Sequence, residues 1–449
     1  MTNKTTPGLA TSMKDKLIQQ ALERRMRKLD DGAPSPSLKD VKGASRGGFE
    51  QFCRFDQHPG YQQLRLMLDG AARFGLANPF FKLHEGLAGA ETVMGGSRYV
   101  NYASYNYLGY SGHPVVAEAA KAAIDHYGTS VSASRPVSGD RPIHRELEQE
   151  LARLYEVDDA ITFVSGHATN VTTIGYLFGP RDLILHDELI HNSVLQGIQL
   201  SGARRLSFAH NDWEAVDRVL SDQRQHFERV LVVIEGIYSM DGDFPDLPRF
   251  VELRSKHQVL LMVDEAHSLG VMGRTGKGIR EHFGLAGSDV DIWMGTLSKS
   301  LASCGGYIAG ESALVEHLKF LAPGFLYSVG MPAPVAAAAL AALRCLPEDG
   351  ERVATLQARG RQFLELARDA GLDTGTSTGL AVVPIITGSS LKAAQLSSAL
   401  SRRGINAQPI LHPAVPEKSA RVRFFMSCLH TSEQIAETVA IVAQELQKL

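Results

Sequence analysis

The stretch QVLLMVDEAH, residues 258–267, places an unbroken apolar run directly before Asp264 and His267. A run this apolar is typical of a parallel strand that is buried on both faces of a sheet. Ligands of open α/β sheets bind beyond the carboxyl ends of such strands. The stretch therefore predicts a central buried strand with a polar site at its end.

Six further β-rich runs surround this strand and alternate with helical stretches. They are AITFV (160–164), DLILH (182–186), RRLSFA (204–209), RVLVVIE (229–235), DIWMG (291–295) and GGYIAG (305–310). Among the intervening stretches, HRELEQELARLYE (144–156) keeps its leucines at helical spacing. This alternation predicts an α/β fold with a mostly parallel central sheet covered by helices on both faces.

The chain of 449 residues is too long for one compact core, which favours more than one domain. We predict an N-terminal extension and linker over 1–48, a lead-in segment over 49–99, a large domain over 100–335 and a smaller C-terminal α+β domain over 336–449. Within the extension, the amphipathic stretch 13–29 is interpreted as a surface helix or, alternatively, as a docking element for a partner.

The overall composition excludes several classes of protein. A net charge of −3 gives no reason to expect a nucleic-acid partner. The four cysteines are scattered without CxxC pairing, which argues against a disulfide framework or a metal site. There is no apolar run of 18 residues and no signal-peptide pattern. We therefore predict a soluble, cytoplasmic protein without a transmembrane segment.

Polar residues follow five of the predicted strands. They are Ser165, Gly166, His167 and Asn170; His191; Ser239 and Asp241; Asp264 and His267; and Thr296, Ser298 and Lys299. Because the carboxyl ends of parallel strands meet at one edge of a sheet, we expect these groups to lie together.

The stretch GTLSKSLASCGGYIAG (295–310) places Lys299 among small residues. A lysine amine can form a Schiff base with a carbonyl group, and the helix start after Ser165 can bind an anion. The carboxylate of Asp264 can keep a pyridine nitrogen protonated, which makes the ring an electron sink. These groups together predict an aldehyde cofactor that carries a phosphate, and the glycines at 305 and 306 would allow close backbone approach.

Competing interpretations are weaker. DEAH also marks one helicase class, but a helicase needs an upstream GxxxxGK[ST] loop, and the nearest stretch, GRTGKG (273–278), has the wrong spacing and lies downstream. Single histidines are more often structural than ligating, and His113, His126 and His210 are interpreted in this way. Cys304 is interpreted as a small packing residue.

From about residue 75 to its end, the chain resembles the α-oxoamine synthases, pyridoxal-phosphate enzymes of fold type I (class II aminotransferases). The matching stretches are SYNYLGYSGHP (104–114), SRPVSGDRPIHRELE (134–148), FVSGHATN (163–170), DELIHNS (187–193), FAHND (208–212), EGIYSMDGD (235–243), VDEAHSLGVMGRTGKG (263–278), TLSKSLASCGG (296–306), LYSVGMPAP (326–334) and RVRF (421–424). Their order and number make the match specific to this family.

The resemblance implies an acyltransferase that condenses an amino acid with an acyl thioester and releases CO2, a thiol and an α-aminoketone. Alternatives are the serine palmitoyltransferase reaction proper, another fold-type-I reaction such as transamination, and an inactive subunit of a heterodimer, which the intact lysine, aspartate and histidine set disfavours. The thioester carrier is either coenzyme A or an acyl-carrier protein, because ANPFFKLHEG (77–86) resembles the lead of assembly-line synthase domains.

The resemblance also implies roles for individual residues. Lys299 would hold the cofactor and remove the α-proton, Asp264 would pair with the pyridinium nitrogen, and His191 would stack on the ring. The other implied cofactor contacts are Ser165, Gly166, His167, Ser239, His267, Thr296 and, across a homodimer interface, Ser328. The implied substrate contacts are Asn106, His144 and Arg423. Two departures, His167 in place of an aromatic residue and Ala414 in place of a threonine, leave the substrate preference open.

Overall fold

The computed structural model describes Phe49, residues 52–73 and residues 78–449, with the side chains of residues 71 and 72 left out. The predicted extension and linker over 1–48, including the stretch 13–29, lie outside the described residues. Two units are distinguished along the chain, Met1–Gly75 and Leu76–Leu449. The described part of the first unit contains a 3-10 turn at Phe55–Gln57 and helix α1 at Pro59–Arg73.

The second unit begins with two short strands and two helices. They are β1 (Glu91–Met94), β2 (Ser97–Asn101), α2 (Pro114–Tyr127) and α3 (Pro142–Tyr155). Proline stands in the first turn of both helices, where its missing N–H costs no intrahelical bond.

Alternating strands and helices follow, as the sequence pattern predicts. The strands are β3 (Asp159–Phe163), β4 (Leu183–Asp187), β5 (Arg204–Phe208), β6 (Val230–Glu235), β7 (Leu260–Asp264), β8 (Ile292–Thr296) and β9 (Gly306–Gly310). The helices between them are α4 (Gly166–Leu177), α5 (Asn192–Ser201), α6 (Trp213–Gln223), α7 (Leu247–His257) and α8 (Ile279–Phe283).

These strands form one sheet in the order β3-β9-β8-β7-β6-β4-β5. Neighbouring strands are parallel except at β9, which runs antiparallel to both β3 and β8. The reversal follows from the connection over 297–305, which is too short for the crossover that a parallel pair requires. The predicted α/β fold with a mostly parallel sheet is confirmed.

The central strands are buried on both faces. Every residue of β6 is buried, and alternate residues contribute to different cores. Leu231 and Val233 belong to the cluster that contains Ile174 of α4, whereas Val232 belongs to the cluster that contains Phe250 of α7. Helices therefore cover both faces of the sheet, and its edge at the strand ends is left for a site.

The remainder of the chain is helical with two small sheets. Its helices are α9 (Ser312–Leu321), α10 (Pro323–Leu326), α11 (Ala333–Cys345), α12 (Gly350–Asp369), α13 (Ser390–Arg402) and α14 (Ser432–Leu446). Its strands are β10 (Val382–Ile386), β11 (Ile405–Asn406), β12 (Gln408–Ile410) and β13 (Arg421–Phe425).

One small sheet joins residues that are distant along the chain. Strand β11 pairs in parallel with β2, with Asn406 opposite Asn101, and the Asn406 side-chain amide donates to Asn101 Oδ1 over 2.9 Å. The other small sheet, β10-β13-β12, is antiparallel. The domain boundaries at residues 99 and 335 stay predictions.

Within the described ranges, no helix combines the length and the apolar character needed to cross a membrane. The same residues hold no group of three or more His, Cys, Asp or Glu side chains placed to bind a metal ion.

Candidate active site

A cavity of about 410 Å³ lies where the central strands end. Most of the predicted site residues line it together: Ser165, Gly166, His167, His191, Ser239, Asp264, His267, Thr296, Lys299 and Arg423. We call it the strand-end cavity. The gathering of these groups at one edge is the arrangement that parallel strands impose.

Three of the residues with an implied contact lie elsewhere, and so does Asp241, which forms an ion pair with Arg421 over 2.5 Å. Asn106 lines an adjoining cavity of about 370 Å³, which we call the lead-in cavity. His144 is fully buried, and its Nε2 contacts the Met331 carbonyl oxygen over 2.7 Å. The Ser328 hydroxyl donates to the Gly324 carbonyl over 2.6 Å. Neither His144 nor Ser328 lines either cavity within this chain.

Lys299 lines both cavities. Its Nζ lies 5.5 Å from the ring centre of Tyr105. Burial lowers the pKa of this amine to about 8, although the nearby carboxylates of Asp264 and Glu235 act in the opposite direction. A larger neutral fraction makes the amine a competent nucleophile and base near neutral pH.

Asp264 ends β7 inside the cavity wall and is fixed from two sides. Its Oδ2 accepts from Asn170 Nδ2 over 2.9 Å, and its Oδ1 accepts from the Ala266 amide over 3.0 Å. Asn170 also donates to Ser193 Oγ over 2.9 Å. The carboxylate is therefore held in one orientation, and Asn170 and Ser193 are themselves buried.

His267 lies one turn beyond Asp264 and is held by Tyr107. The two side chains meet over 2.7 Å between the Tyr107 hydroxyl and His267 Nδ1. Burial, followed by the positive charges of Lys299 and Arg423, keeps the pKa of His267 well below its ordinary value. The imidazole is therefore neutral, and Nε2 is the nitrogen that can reach a ligand in the cavity.

His191 stands at the start of α5 with its ring in the cavity wall. Its backbone N–H donates to Glu235 Oε1 over 2.7 Å, and its Nδ1 lies 2.7 Å from Ser193 Oγ. Burial lowers its pKa. The ring is thus fixed at both its backbone and its side chain, as a stacking partner requires.

The start of α4 forms a cradle for an anion. Ser165 caps the helix, with its hydroxyl accepting from the Ala168 amide over 3.4 Å, and the first helical N–H groups have no intrahelical acceptor. A Cβ added at Gly166 would lie 2.9 Å from Thr296 Oγ1, and one added at Gly306 would lie 2.7 Å from the Gly166 Cα. Gly166 therefore permits close approach between the cradle and Thr296, and Gly306 is one of the two glycines at which the sequence predicts close backbone approach.

Arg423 enters the cavity from β13. Its Nη1 donates to the Ser239 carbonyl over 2.8 Å, and its guanidinium carbon lies 4.4 Å from the ring centre of Phe425. Its buried Nε has no hydrogen-bond partner among the described residues. This donor is available for a ligand group such as a carboxylate.

Sequence reasoning missed several residues that shape the cavity. Ser193, Glu235, Tyr105 and Tyr107 were not singled out, and Asn170, which the sequence predicts at this edge, was given no role there. Glu235 carried a usable signal, because it is the last residue of a buried strand. The tyrosines come from an irregular segment, and only the folded chain brings them here.

The strand-end cavity fits a phosphorylated pyridine aldehyde. Its donor set places an anion cradle, a fixed carboxylate and a partly neutral lysine amine around one space, with the neutral His267 and the ring of His191 beside it. The cradle suits the phosphate and the carboxylate suits the ring nitrogen. The lysine amine suits the aldehyde, and the ring of His191 suits the face of the pyridine ring. The fold and the site thus define a pyridoxal-phosphate enzyme of fold type I.

Comparison with known proteins agrees with this class and narrows it. The family model of aminotransferase class I and II matches residues 97–442. The chain is 38% identical over 357 residues to 8-amino-7-oxononanoate synthase of Treponema denticola, covering 80% of this chain and 90% of that protein. It is 40% identical over 350 residues to the enzyme of the same name from Fervidobacterium nodosum, covering 77% and 88%.

A solved structure of Sphingomonas wittichii serine palmitoyltransferase is similar with a TM-score of 0.83 and 27% identity, covering 87% of this chain and 98% of that one. The chain belongs to the aminotransferase class I and II family and, within it, to the α-oxoamine synthases. It is an acyltransferase that uses pyridoxal phosphate to condense an amino acid with an acyl thioester.

Proposed function

We propose that the strand-end cavity binds pyridoxal phosphate and the amino acid, and that the lead-in cavity receives the acyl thioester. The observation that supports this placement is that Lys299 lines both cavities. A base that removes the α-proton must reach the amino acid, and the resulting carbanion must face the acyl carbon. The Lys299 amine at the junction of the two cavities can reach the amino acid in the first cavity. The same junction lets the carbanion face an acyl carbon in the second cavity.

The cofactor, when bound, supplies a pyridinium ring that withdraws electrons from the α-carbon. The residues of the chain supply its setting. Asp264 would hold the ring nitrogen in its protonated form, and Asn170 keeps that carboxylate oriented. His191 would hold the ring, and Ser165, Gly166, His167 and Thr296 would hold the phosphate. Lys299, with its lowered pKa, accepts the α-proton.

Arg423 is proposed to bind the carboxylate of the amino acid. In the structure its Nη1 contacts the Ser239 carbonyl and its Nε has no partner, so part of its donor set is unused. A bidentate contact would orient the carboxylate that is later lost as CO2.

A homodimer with shared active sites is proposed on the placement of Ser328. This residue lies outside both cavities of its own chain, beside the exposed side chains of Tyr327 and Val329. Exposed apolar groups of this kind mark interaction surfaces. One chain has a mass of 48.7 kDa. Sedimentation velocity of the cofactor-loaded protein is expected to give one species of twice this mass. A monomer with full activity would contradict the proposal.

The two groups of relatives leave two candidate reactions. The chain has a higher sequence identity with the 8-amino-7-oxononanoate synthase of Treponema denticola, 38%, than with the solved serine palmitoyltransferase of Sphingomonas wittichii, 27%. In structure it is similar to that serine palmitoyltransferase. Spectral titration of the holoenzyme with all twenty amino acids, followed by coenzyme A and carrier-protein thioesters of different chain lengths, identifies the substrates. Selective response to L-serine and palmitoyl thioester would favour the second reaction.

The decisive test of the reaction type is the release of CO2 and free thiol. We expect both in equal amounts from the wild-type enzyme, whereas transamination releases neither. Lys299→Ala should lower kcat by about 10⁴-fold, because it removes the proton acceptor and the amine that reacts with the aldehyde. Turnover of the Lys299→Ala enzyme at the wild-type rate would refute the assignment.

A further inference from the structure

His210, Asp187 and Asp243 form a cluster behind the strand-end cavity. Asp187 is the last residue of β4, His210 follows the neighbouring edge strand β5, and Asp243 lies in the loop after β6. The three strands are adjacent in the sheet, so their loops meet at the edge that carries the site. None of the three residues lines the cavity itself.

The imidazole of His210 bridges the two carboxylates. Its Nδ1 lies 3.0 Å from Asp187 Oδ1, and its Nε2 lies 3.0 Å from Asp243 Oδ2. Burial would lower the pKa of His210, but the two carboxylates outweigh burial and raise the pKa to about 10. The bridge is therefore a cation between two anions across the neutral pH range.

Asp187 ties the bridge to the loop that carries His191. Its Oδ1 accepts from the Leu189 amide over 2.8 Å, and its carbonyl oxygen accepts from the Ile190 amide over 3.2 Å. His191 is the next residue. The position of His191 in the cavity wall therefore depends on two hydrogen bonds to Asp187, one to its side chain and one to its carbonyl oxygen.

Asp243 ties the bridge to the loop that carries Ser239. The Asp243 carbonyl accepts from the Tyr238 amide over 2.9 Å, and the Tyr238 carbonyl accepts from the Gly242 amide over 2.8 Å, so the loop is closed on itself. The rings of His210 and Tyr238 also meet edge to face with centres 4.5 Å apart. The closed loop presents Ser239 and Met240 to the cavity.

Removal of the imidazole would leave the Asp187 and Asp243 carboxylates without the cation that lies between them. The Asp243 side chain is 9% exposed, and among the described residues His210 provides its only side-chain hydrogen bond. Asp243 would then be a buried charge without a hydrogen-bond partner, which is strongly destabilising. Asp187 would keep its bonds from the Leu189 and Asn211 amides but would no longer be joined to Asp243. The two loops would then separate, and the groups that they carry would move relative to the strand-end cavity.

We propose that His210 is a positioning residue of the active site: by joining Asp187 to Asp243 it fixes His191 and Ser239 relative to each other around the cofactor ring. The role is independent of which amino acid or thioester is used. It rests on the proposed placement of the cofactor in the strand-end cavity. A displacement of about 1 Å at such groups is sufficient to lower a catalytic rate a hundredfold.

The test compares H210Q with the matched control H257Q in the cofactor-loaded enzyme. His257 also contacts an aspartate, Asp217, with Nε2 2.6 Å from Oδ1, but it joins α6 to α7 away from the cavity. We expect H210Q to lose most of the visible circular dichroism of the bound cofactor and to lower kcat at least about tenfold, with the KM for the thioester unchanged. H257Q should keep both the signal and kcat. Equal effects of the two variants would overturn the proposal.

A second variant decides the question if H210Q does not fold. D243N removes one anion and keeps the shape of the side chain. It therefore weakens only the contact between His210 and Asp243, which holds the loop of Ser239. We expect D243N alone to weaken the cofactor signal. Where H210Q does fold, the double variant H210Q/D243N should be no worse than the more impaired single variant, since both act through one bridge. A D243N enzyme with a wild-type cofactor signal and kcat would refute the bridge.

The same measurements separate this proposal from the proposed function. If the wild-type enzyme releases CO2 and thiol while H210Q matches it in signal and rate, only the positioning role fails. If the wild-type enzyme binds pyridoxal phosphate but releases neither product, the proposed function fails, and the cofactor signal of H210Q still tests the bridge.

Discussion

The two cavities that meet at Lys299 are made from different kinds of sequence. The strand-end cavity is lined by residues that directly follow buried strands, such as Asp264 after β7 and Thr296 at the end of β8. The lead-in cavity is lined mainly by residues 84–111, which form short strands and irregular segments. The repeated pattern of an apolar strand followed by polar residues thus predicts the strand-end cavity, whereas the lead-in cavity depends on the path of an irregular segment. The predictions below test whether this division also separates cofactor chemistry from thioester binding.

After Lys299→Ala, the largest effect is expected from Asp264→Asn. The substitution keeps the shape of the side chain but removes the negative charge opposite the ring nitrogen, so kcat should fall about a hundredfold. The KM for the thioester should change little, because Asp264 lines only the strand-end cavity. Steady-state kinetics would show this split. Asp217→Asn, on the half-exposed pair with His257, is the matched control and should retain wild-type kcat.

The pH dependence of α-proton removal is the next largest effect. Only the neutral Lys299 amine accepts a proton, and its lowered pKa of about 8 makes the neutral form dominant above that pH. Exchange of the α-proton with D2O, followed by NMR without thioester, should rise about tenfold from pH 6 to pH 7 and level off above about pH 8. A rate that is flat or falls over this range would exclude Lys299 as the base.

Gly166→Ala should weaken cofactor binding by about tenfold through the loss of close backbone approach to the phosphate. The added Cβ would lie 2.9 Å from Thr296 Oγ1 and 3.2 Å from its Cβ, so one side of the cradle must shift. Gly179→Ala, just beyond the end of the same helix, meets nothing within 4 Å and should bind the cofactor normally. Equilibrium titration of the cofactor-free enzymes with pyridoxal phosphate measures both.

Asn106→Ala is expected to give the smallest effect and to act on the other cavity. Asn106 donates to the Ala88 carbonyl over 2.6 Å and accepts from the Ser111 amide over 3.2 Å, which orders the wall of the lead-in cavity. Loss of these two bonds should raise the KM for the thioester about fivefold. Cofactor affinity should stay unchanged. An equal loss of cofactor affinity would show that the two cavities are not separable in function.

Much of the strand-end cavity was predictable because its residues obey a simple rule. The apolar run before Asp264 identifies a buried strand, and a parallel sheet collects the ends of such strands at one edge. Lys299 and His267 follow from the same rule. Glu235 obeys it as well but was overlooked, because it was counted as part of the strand run RVLVVIE (229–235) and only the residues after the run were considered.

Other residues could not be placed from the sequence. His210 was interpreted as an isolated structural histidine, and the structure shows it between Asp187 and Asp243. Tyr107 is 160 positions away from His267, its hydrogen-bond partner. No local pattern reports contacts between segments so distant along the chain.

By itself the sequence determined the alternation of strands and helices, the burial of the central strands and the lysine, aspartate and histidine set at their ends. These follow from periodicity and from the geometry of parallel sheets, which are local properties of the chain. Only the tertiary structure decided the pairing of β2 with β11, the lead-in cavity and the His210 bridge. Each of these depends on where distant segments meet, and packing of the whole chain fixes that.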